Sequence, residues 1–388
     1  MRKTIIIGVV IYLVTSVVAY LLFSAVFPGG GAIISTPVPE PKVGEDGVAL
    51  FDESLPKTEE CPLTGTKYSK QQKAWWEKHR PLGIMIEDHQ EARPQSGLLN
   101  SDIVYEAVAE GGITRFLAVY YCQDAPIVGP VRSARTYFLD FVSEYGDFPL
   151  YAHVGGANTS GPADALGQIE DYGWAQYNDL NQFSIGFPTF WRDYDRLGRT
   201  VATEHTMYSS TSKLWSFADK KRKLSNKNED GDSWDKDFTA YTFKEDVKLA
   251  DRSASQVINF EFWEGYGAYS VKWSYDKATN TYLRENGGEV HTDFNNKKQL
   301  NAKNVVVLYM KESRANDGYE GNLHMIYGTK GTGKAKIFMD GQEVSATWSK
   351  KTRTSHLVLS DSKGKELALN PGRIWFEVLS PNSSVEVE

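Results

Sequence analysis

After Met1-Arg2-Lys3 the chain runs from Thr4 to Phe27, 24 residues, without a charged side chain. About 20 apolar residues in a helix suffice to cross a bilayer. The apolar core of a cleaved signal peptide has roughly 7–15 and ends at a small-residue site. Here Pro28-Gly29-Gly30-Gly31 follows instead. The pattern predicts an uncleaved signal anchor over residues 1–27. Arg2 and Lys3 on its short side place everything after Phe27 outside the cytoplasm, as a single-pass protein of the cell membrane.

The rest of the chain is soluble in character and long enough for about two domains. Its formal charge is −7, which lacks the basic stripe that nucleic acid requires. Cys61 sits in an expected linker and Cys122 ends an apolar run. They read as two lone thiols, with a disulfide as the alternative.

Residues 28–77 carry Pro, Gly and acidic residues without an apolar period in their first part and read as a flexible tether. From about 78 to 225, strand-like runs ("LGIMIED", "FLAVYYC", "LYAHVGG") alternate with helical spacing in "SARTYFLDFVSEYG" and "SGPADALGQIEDYG". In the second of these, Ser160 stands as N-cap. Alternation of this kind indicates an α/β domain. A charged stretch near Asp219–Asp237 marks a boundary or exposed loop. Residues 238–380 then show six or more short strands, "VINFEF" to "IWFEV", separated by turns such as Asp340-Gly341. That pattern indicates a smaller, mainly-β domain.

Function rests on polar residues at the ends of these runs. "GPVRSARTYF" (Gly129–Phe138) sets Arg132 and Arg135 around Ser133 at the expected start of a helix. A helix N-terminus attracts anions, and guanidinium forks hold a carboxylate or phosphate in bidentate fashion. The alternative is that the arginines pair with acids of their own domain. Glu106 and Glu110, four apart, share a face whichever way their segment folds. They serve either as acid/base residues or as partners for Arg93, Arg115, Arg132 and Arg135. "IEDHQEARPQSGL" places Asp88, His89, Arg93 and Gln95 beyond a strand-like run, where α/β sheets bind ligands. His153, ending "LYAHVGG", is the best single candidate for a proton carrier. Metal-binding spacings are absent from the local motifs. "GTKGTGKA" (Gly328–Ala335) fails as a nucleotide loop, because Ala335 replaces the hydroxyl that would hold magnesium. No cofactor is expected.

With these residues assembled, the chain resembles the YerB family of bacterial envelope lipoproteins. The similarity runs through "PLGIMIEDHQEARPQSGL", "SDIVYEAVAEGGITRFLAVY", "IVGPVRSARTYFLD", "AHVGG", "FWRD", "GTGKAKIFMDG" and "LNPGRIWFEV". It brings Arg192, in "FWRD", and His205 into the ligand-binding set with Asp88, Arg93, Gln95, Arg115, Arg132, Ser133 and Arg135. Two features depart from the family: no lipid-bearing cysteine follows a short signal, and "TEHTMYSST" surrounds His205 where Pro-His-Asn-like residues are the pattern. The resemblance implies a cell-envelope protein and no established reaction. The expectation is a membrane-anchored extracytoplasmic protein that binds an anionic cell-wall component or envelope protein, in a regulatory role. The alternative is a hydrolase or lyase of wall glycan or peptide, with Glu106, Glu110 and His153 as acid–base residues.

Overall fold

Gly111 and Gly112 both take positive φ, 55° and 85°. That is the geometry of the two-residue turn that joins twisted antiparallel strands. "SDIVYEAVAEGGITRFLAVY" therefore closes as a hairpin of strands Ile103–Glu110 and Ile113–Tyr120. Around this hairpin a computed structural model describes residues 2–26, 38–44, 47–321 and 323–388.

The hairpin is the middle of a ten-stranded mixed sheet. On one side Ile113–Tyr120 pairs antiparallel with Leu82–Glu87, and Leu150–His153 and Asp179–Asn181 follow in parallel. On the other, Ile103–Glu110 pairs in parallel with Ile374–Leu379, which pairs in parallel with Asn304–Tyr309. Antiparallel strands Gly331–Met339, Gln342–Lys350 and Val358–Ser360 complete that side. A second sheet contains Val257–Phe260, Val271–Asp276 and Thr281–Asn286, with three shorter strands. The expected α/β and mainly-β halves thus share one sheet. The sequence pattern marks many of these strands, such as Leu82–Glu87 and Ile374–Leu379, but it leaves Ile103–Glu110 open between strand and helix and does not encode which distant strands pair. The segment rejected as a nucleotide loop, Gly328–Ala335, leads into and begins the hairpin of Gly331–Met339 and Gln342–Lys350, one strand in from the sheet edge.

Period two assigns the faces of the central strands. Tyr105 stacks between Phe141 (4.7 Å) and Phe376 (4.6 Å), facing the helix Thr136–Val142. Glu106 and Glu377, next along and directly opposite in register, point the other way, toward the second sheet. There Arg284 reaches Glu106 at 2.5 Å among Phe116, Trp273 and Trp375, and all three charged side chains are inaccessible to solvent. Burial raises Glu106 well above the usual carboxylate range against the pull of Arg284, and raises Glu377 likewise. Glu106 Oε1 and Glu377 Oε2 are buried with no hydrogen-bond partner among the described residues, and a single proton shared by the two carboxyls would satisfy both. Glu106 is therefore a buried structural charge, a correction to its reading as an acid/base residue.

Three further expectations change. Cys61 and Cys122 form a disulfide, and both are fully buried. The bond links the expected tether to the end of a central strand, a proximity that 61 residues of separation concealed. Most of that tether belongs to the fold: Lys57–Glu60 and Lys67–Ser69 pair, and the helix Lys70–Trp76 is capped by Ser69 and buries Trp76. Asp164, not Ser160, caps Ala165–Asp171, accepting from Gly167 N.

The chain separates into two units, Met1–Pro39 and Glu40–Glu388. The first contains a helix over Arg2–Val26. Among the residues whose side chains are described, no helix is long and apolar enough to cross a membrane. Residues 1 and 27, and 28–37 of the expected tether, lie outside the described residues.

Candidate functional site

"GPVRSARTYF" is not yet helical where its arginines stand. Glu87 N donates to Pro130 O and Arg132 N to Met85 O, while Val154 N donates to Arg132 O and Ala134 N to Gly155 O. The segment is thus stitched between the C-terminal ends of the parallel strands Leu82–Glu87 and Leu150–His153. The helix starts at Thr136, with Arg135 in the cap position and no side-chain cap. The expected convergence of Arg132 and Arg135 on an anion at the helix start is corrected by this extended path, because residues three apart on an extended segment point to opposite faces.

Arg135 turns inward. It donates to Ala134 O and, with Arg115, clamps the two oxygens of Glu110; the Arg115 bond is 2.8 Å. Burial pushes the Glu110 carboxyl up, but the two guanidinium charges outweigh it and hold it well below the usual range. A carboxylate held this firmly in its ionised form is a poor proton carrier at neutral pH. Arg115 also donates to Ser133 O. This arrangement is the internal pairing that buried charge requires.

Other expected site residues serve the fold as well. Asp88 is buried and accepts from Arg93, Gln95, Thr114 and Asn286. Gln95 also accepts from His291, while Arg93 donates to Ala268 O and covers the Tyr269 ring. These bonds tie the end of strand Leu82–Glu87 to the second sheet, so Asp88, Arg93 and Gln95 are engaged with internal partners. His153 is inaccessible, with Nδ1 against Gly155 O and Nε2 against Asp179. Both ring nitrogens are occupied, which corrects its reading as an external proton carrier.

Arg132 differs from the other arginines. Its Nε bonds Glu87 Oε1 at 3.0 Å, and among the described residues its two terminal nitrogens have no partner. Its side chain keeps 24 % of its exposure. It opens on a cleft of about 590 Å³ together with Ser133, Gly155, Gly156, Asn158 and Arg192. Arg192 uses Nη1 on Thr203 O and Thr206 Oγ1, leaving Nε and Nη2. Val154, Leu166, Met207 and Phe183, which is 76 % exposed, give the cleft an apolar wall. Glu204 is its acidic member. The arrangement can hold a carboxylate or phosphate between two guanidinium groups, with a carbon skeleton against Phe183.

His205 lies at the edge of this cleft. Its Nδ1 meets Glu87 Oε2 at 2.8 Å, so Glu87 bridges His205 and Arg132. Burial lowers the imidazole's affinity for a proton, and the Glu87 bond and charge reverse this to a net rise. Asn158, Phe183 and Glu204 escaped the sequence reading. Asn158 and Phe183 lie in segments without a motif, and Glu204 stands beside His205 in "TEHTMYSST" with only proximity to the cleft to mark it.

The comparisons with known proteins agree with this architecture. A family described as "Protein of unknown function (DUF3048) N-terminal domain" matches residues 63–225, and its "C-terminal domain" matches 258–376. The chain is 28 % identical over 321 residues to a Bacillus subtilis (strain 168) protein named "Putative lipoprotein YerB", covering 82 % of this chain and 86 % of that one. It superposes on the crystal structure of the YerB protein from Bacillus subtilis with a TM-score of 0.68 and 25 % identity. That match spans 85 % of this chain and all of the other.

Proposed function

The chain belongs to the YerB-like two-domain family, and from that premise we propose that it is an envelope-associated protein that binds an anionic wall component. The carrying observation is that Arg132 and Arg192 line one cleft with guanidinium donors that have no partner among the described residues. Charge-assisted bonds of this kind are worth about 1.5–3 kcal/mol each. The apolar wall selects an anion that carries a hydrocarbon or sugar skeleton over a free inorganic ion. Envelope association is supported by the relative's name, and a single-pass anchor by the uncharged run Thr4–Phe27. Cys61 and Cys122 are both in the disulfide, so neither offers a thiol to a lipid. The role is binding or regulation, since the residues with acid–base chemistry are committed to internal partners.

The test is retention of the full chain on purified sacculi at low and high salt. Retention that falls with salt and is weaker for Arg192→Gln supports the reading. Equal retention of wild type and Arg192→Gln at both salts removes the cleft from it.

A further inference from the structure

We propose that His89, Glu91 and His205 form a binding site for a divalent transition metal of the zinc class. Each offers one ligand atom, and the three atoms lie within 4.8 Å of one another. They come from two turns. His89 caps the single turn Gln90–Ala92 beyond strand Leu82–Glu87, Glu91 is the middle residue of that turn, and His205 lies in the turn Thr203–Thr206. The two imidazoles stack in parallel, with centroids 4.7 Å apart and planes 9° apart.

The surroundings prepare His205 for this role. Glu87 takes the Nδ1 position at 2.8 Å and leaves Nε2 as the lone-pair nitrogen, 3.5 Å from Glu91 Oε2. A carboxylate behind a histidine, fixing its tautomer and raising its basicity, is the usual outer shell of a metal-ligating imidazole. His89 is half-buried, and its Nδ1 accepts from Glu91 N at 3.2 Å, which fixes the ring against the turn. Glu91 keeps 55 % of its side-chain exposure and is free to swing inward.

Charge and donor type choose the ion. Metal binding takes both imidazoles neutral, which leaves Glu87, Glu91 and Glu204 facing Arg132 and Arg199, whose guanidinium holds the Glu91 and Arg93 carbonyls. The balance is one net negative charge. Two imidazoles and a carboxylate suit zinc, cobalt or nickel above calcium or magnesium, which prefer all-oxygen sites. Three protein ligands leave a fourth position open, as in catalytic rather than structural zinc sites.

The experiment titrates zinc alone into chelator-treated full chain, followed by calorimetry and by the visible absorption of a cobalt-loaded sample. One equivalent should bind, and His89→Ala and Glu91→Gln should each weaken it at least tenfold. His89 is partly exposed, so its replacement leaves the core untouched, and a melting curve confirms that the variant is folded. Absence of saturable one-equivalent binding, or undiminished affinity in folded His89→Ala, would overturn the proposal.

Discussion

Replacing Glu377 by Gln tests the buried centre that joins the two halves of the chain. Glu377 and Glu106 lie side by side on parallel strands, with one Arg284 between two carboxyls. Both carboxyls are raised from the ordinary value of 4.5, so the folded protein keeps a proton that the unfolded chain releases. The stability held by this proton is complete below about pH 4.5 and is lost as pH rises toward the folded value. One retained proton corresponds to about 1.4 kcal/mol per pH unit. Glutamine needs no proton and still offers an Oε1 acceptor to Trp273 Nε1, which donates to Glu377 at 2.9 Å. As pH rises from 6 to 8 the variant should therefore gain on the order of 1 kcal/mol per pH unit relative to wild type while the wild type holds its proton. At about 2.1 cal/mol/K per residue this is roughly 1–2 °C in melting temperature per pH unit for a unit of this length. Arg284→Met is the contrasting change, since it strands both carboxyls and should cost about 3–5 kcal/mol. Thermal unfolding at a series of pH values measures both. A difference between Glu377→Gln and wild type that stays constant from pH 6 to 8 would refute the shared proton.

The other predictions concern the frame and its loops. Cys61→Ser should lower stability by about 4 kcal/mol on the loop-entropy account for a closed loop of this length, checked by unfolding with and without reductant. An unchanged melting temperature would mean that the 57–76 segment docks without the bond. Limited proteolysis should cut first within 223–232, which follows the helix Thr211–Arg222 and precedes the buried Trp234. A first cut within Phe116–Phe138 would contradict the continuous sheet.

Much of this fold can be read from local pattern. The Gly111-Gly112 turn, the alternation in "VKWSYD" and the Asp340-Gly341 turn each specify their own element, because turn geometry and side-chain period are local properties. Pairing is not local. Nothing in "IWFEV" says that Ile374–Leu379 lies beside Ile103–Glu110, some 270 residues away, and that one contact merges two expected domains into one sheet. The site divides in the same way. Arg132 and Ser133 stand out in the sequence because guanidinium and hydroxyl groups at an expected helix start carry chemistry, and both line the cleft. Arg93, Arg115 and Arg135 looked equally suitable, and only their distances to Asp88 and Glu110 remove them. Two opposite charges far apart in sequence give no sign that they meet.

The most direct measurement of the binding claim is calorimetric titration of purified muropeptides into wild type and Arg132→Lys, with a melting curve for each. Lysine keeps the charge but loses the planar fork, and a lost charge-assisted bond of about 1.5–3 kcal/mol weakens binding by at least tenfold. The account predicts that weakening with a melting temperature within about 1 °C of wild type, because Arg132 makes one internal bond at the rim of the cleft. A loss of several degrees, with muropeptide affinity unchanged in the folded fraction, would show Arg132 to be an internal partner of Glu87 and contradict the account.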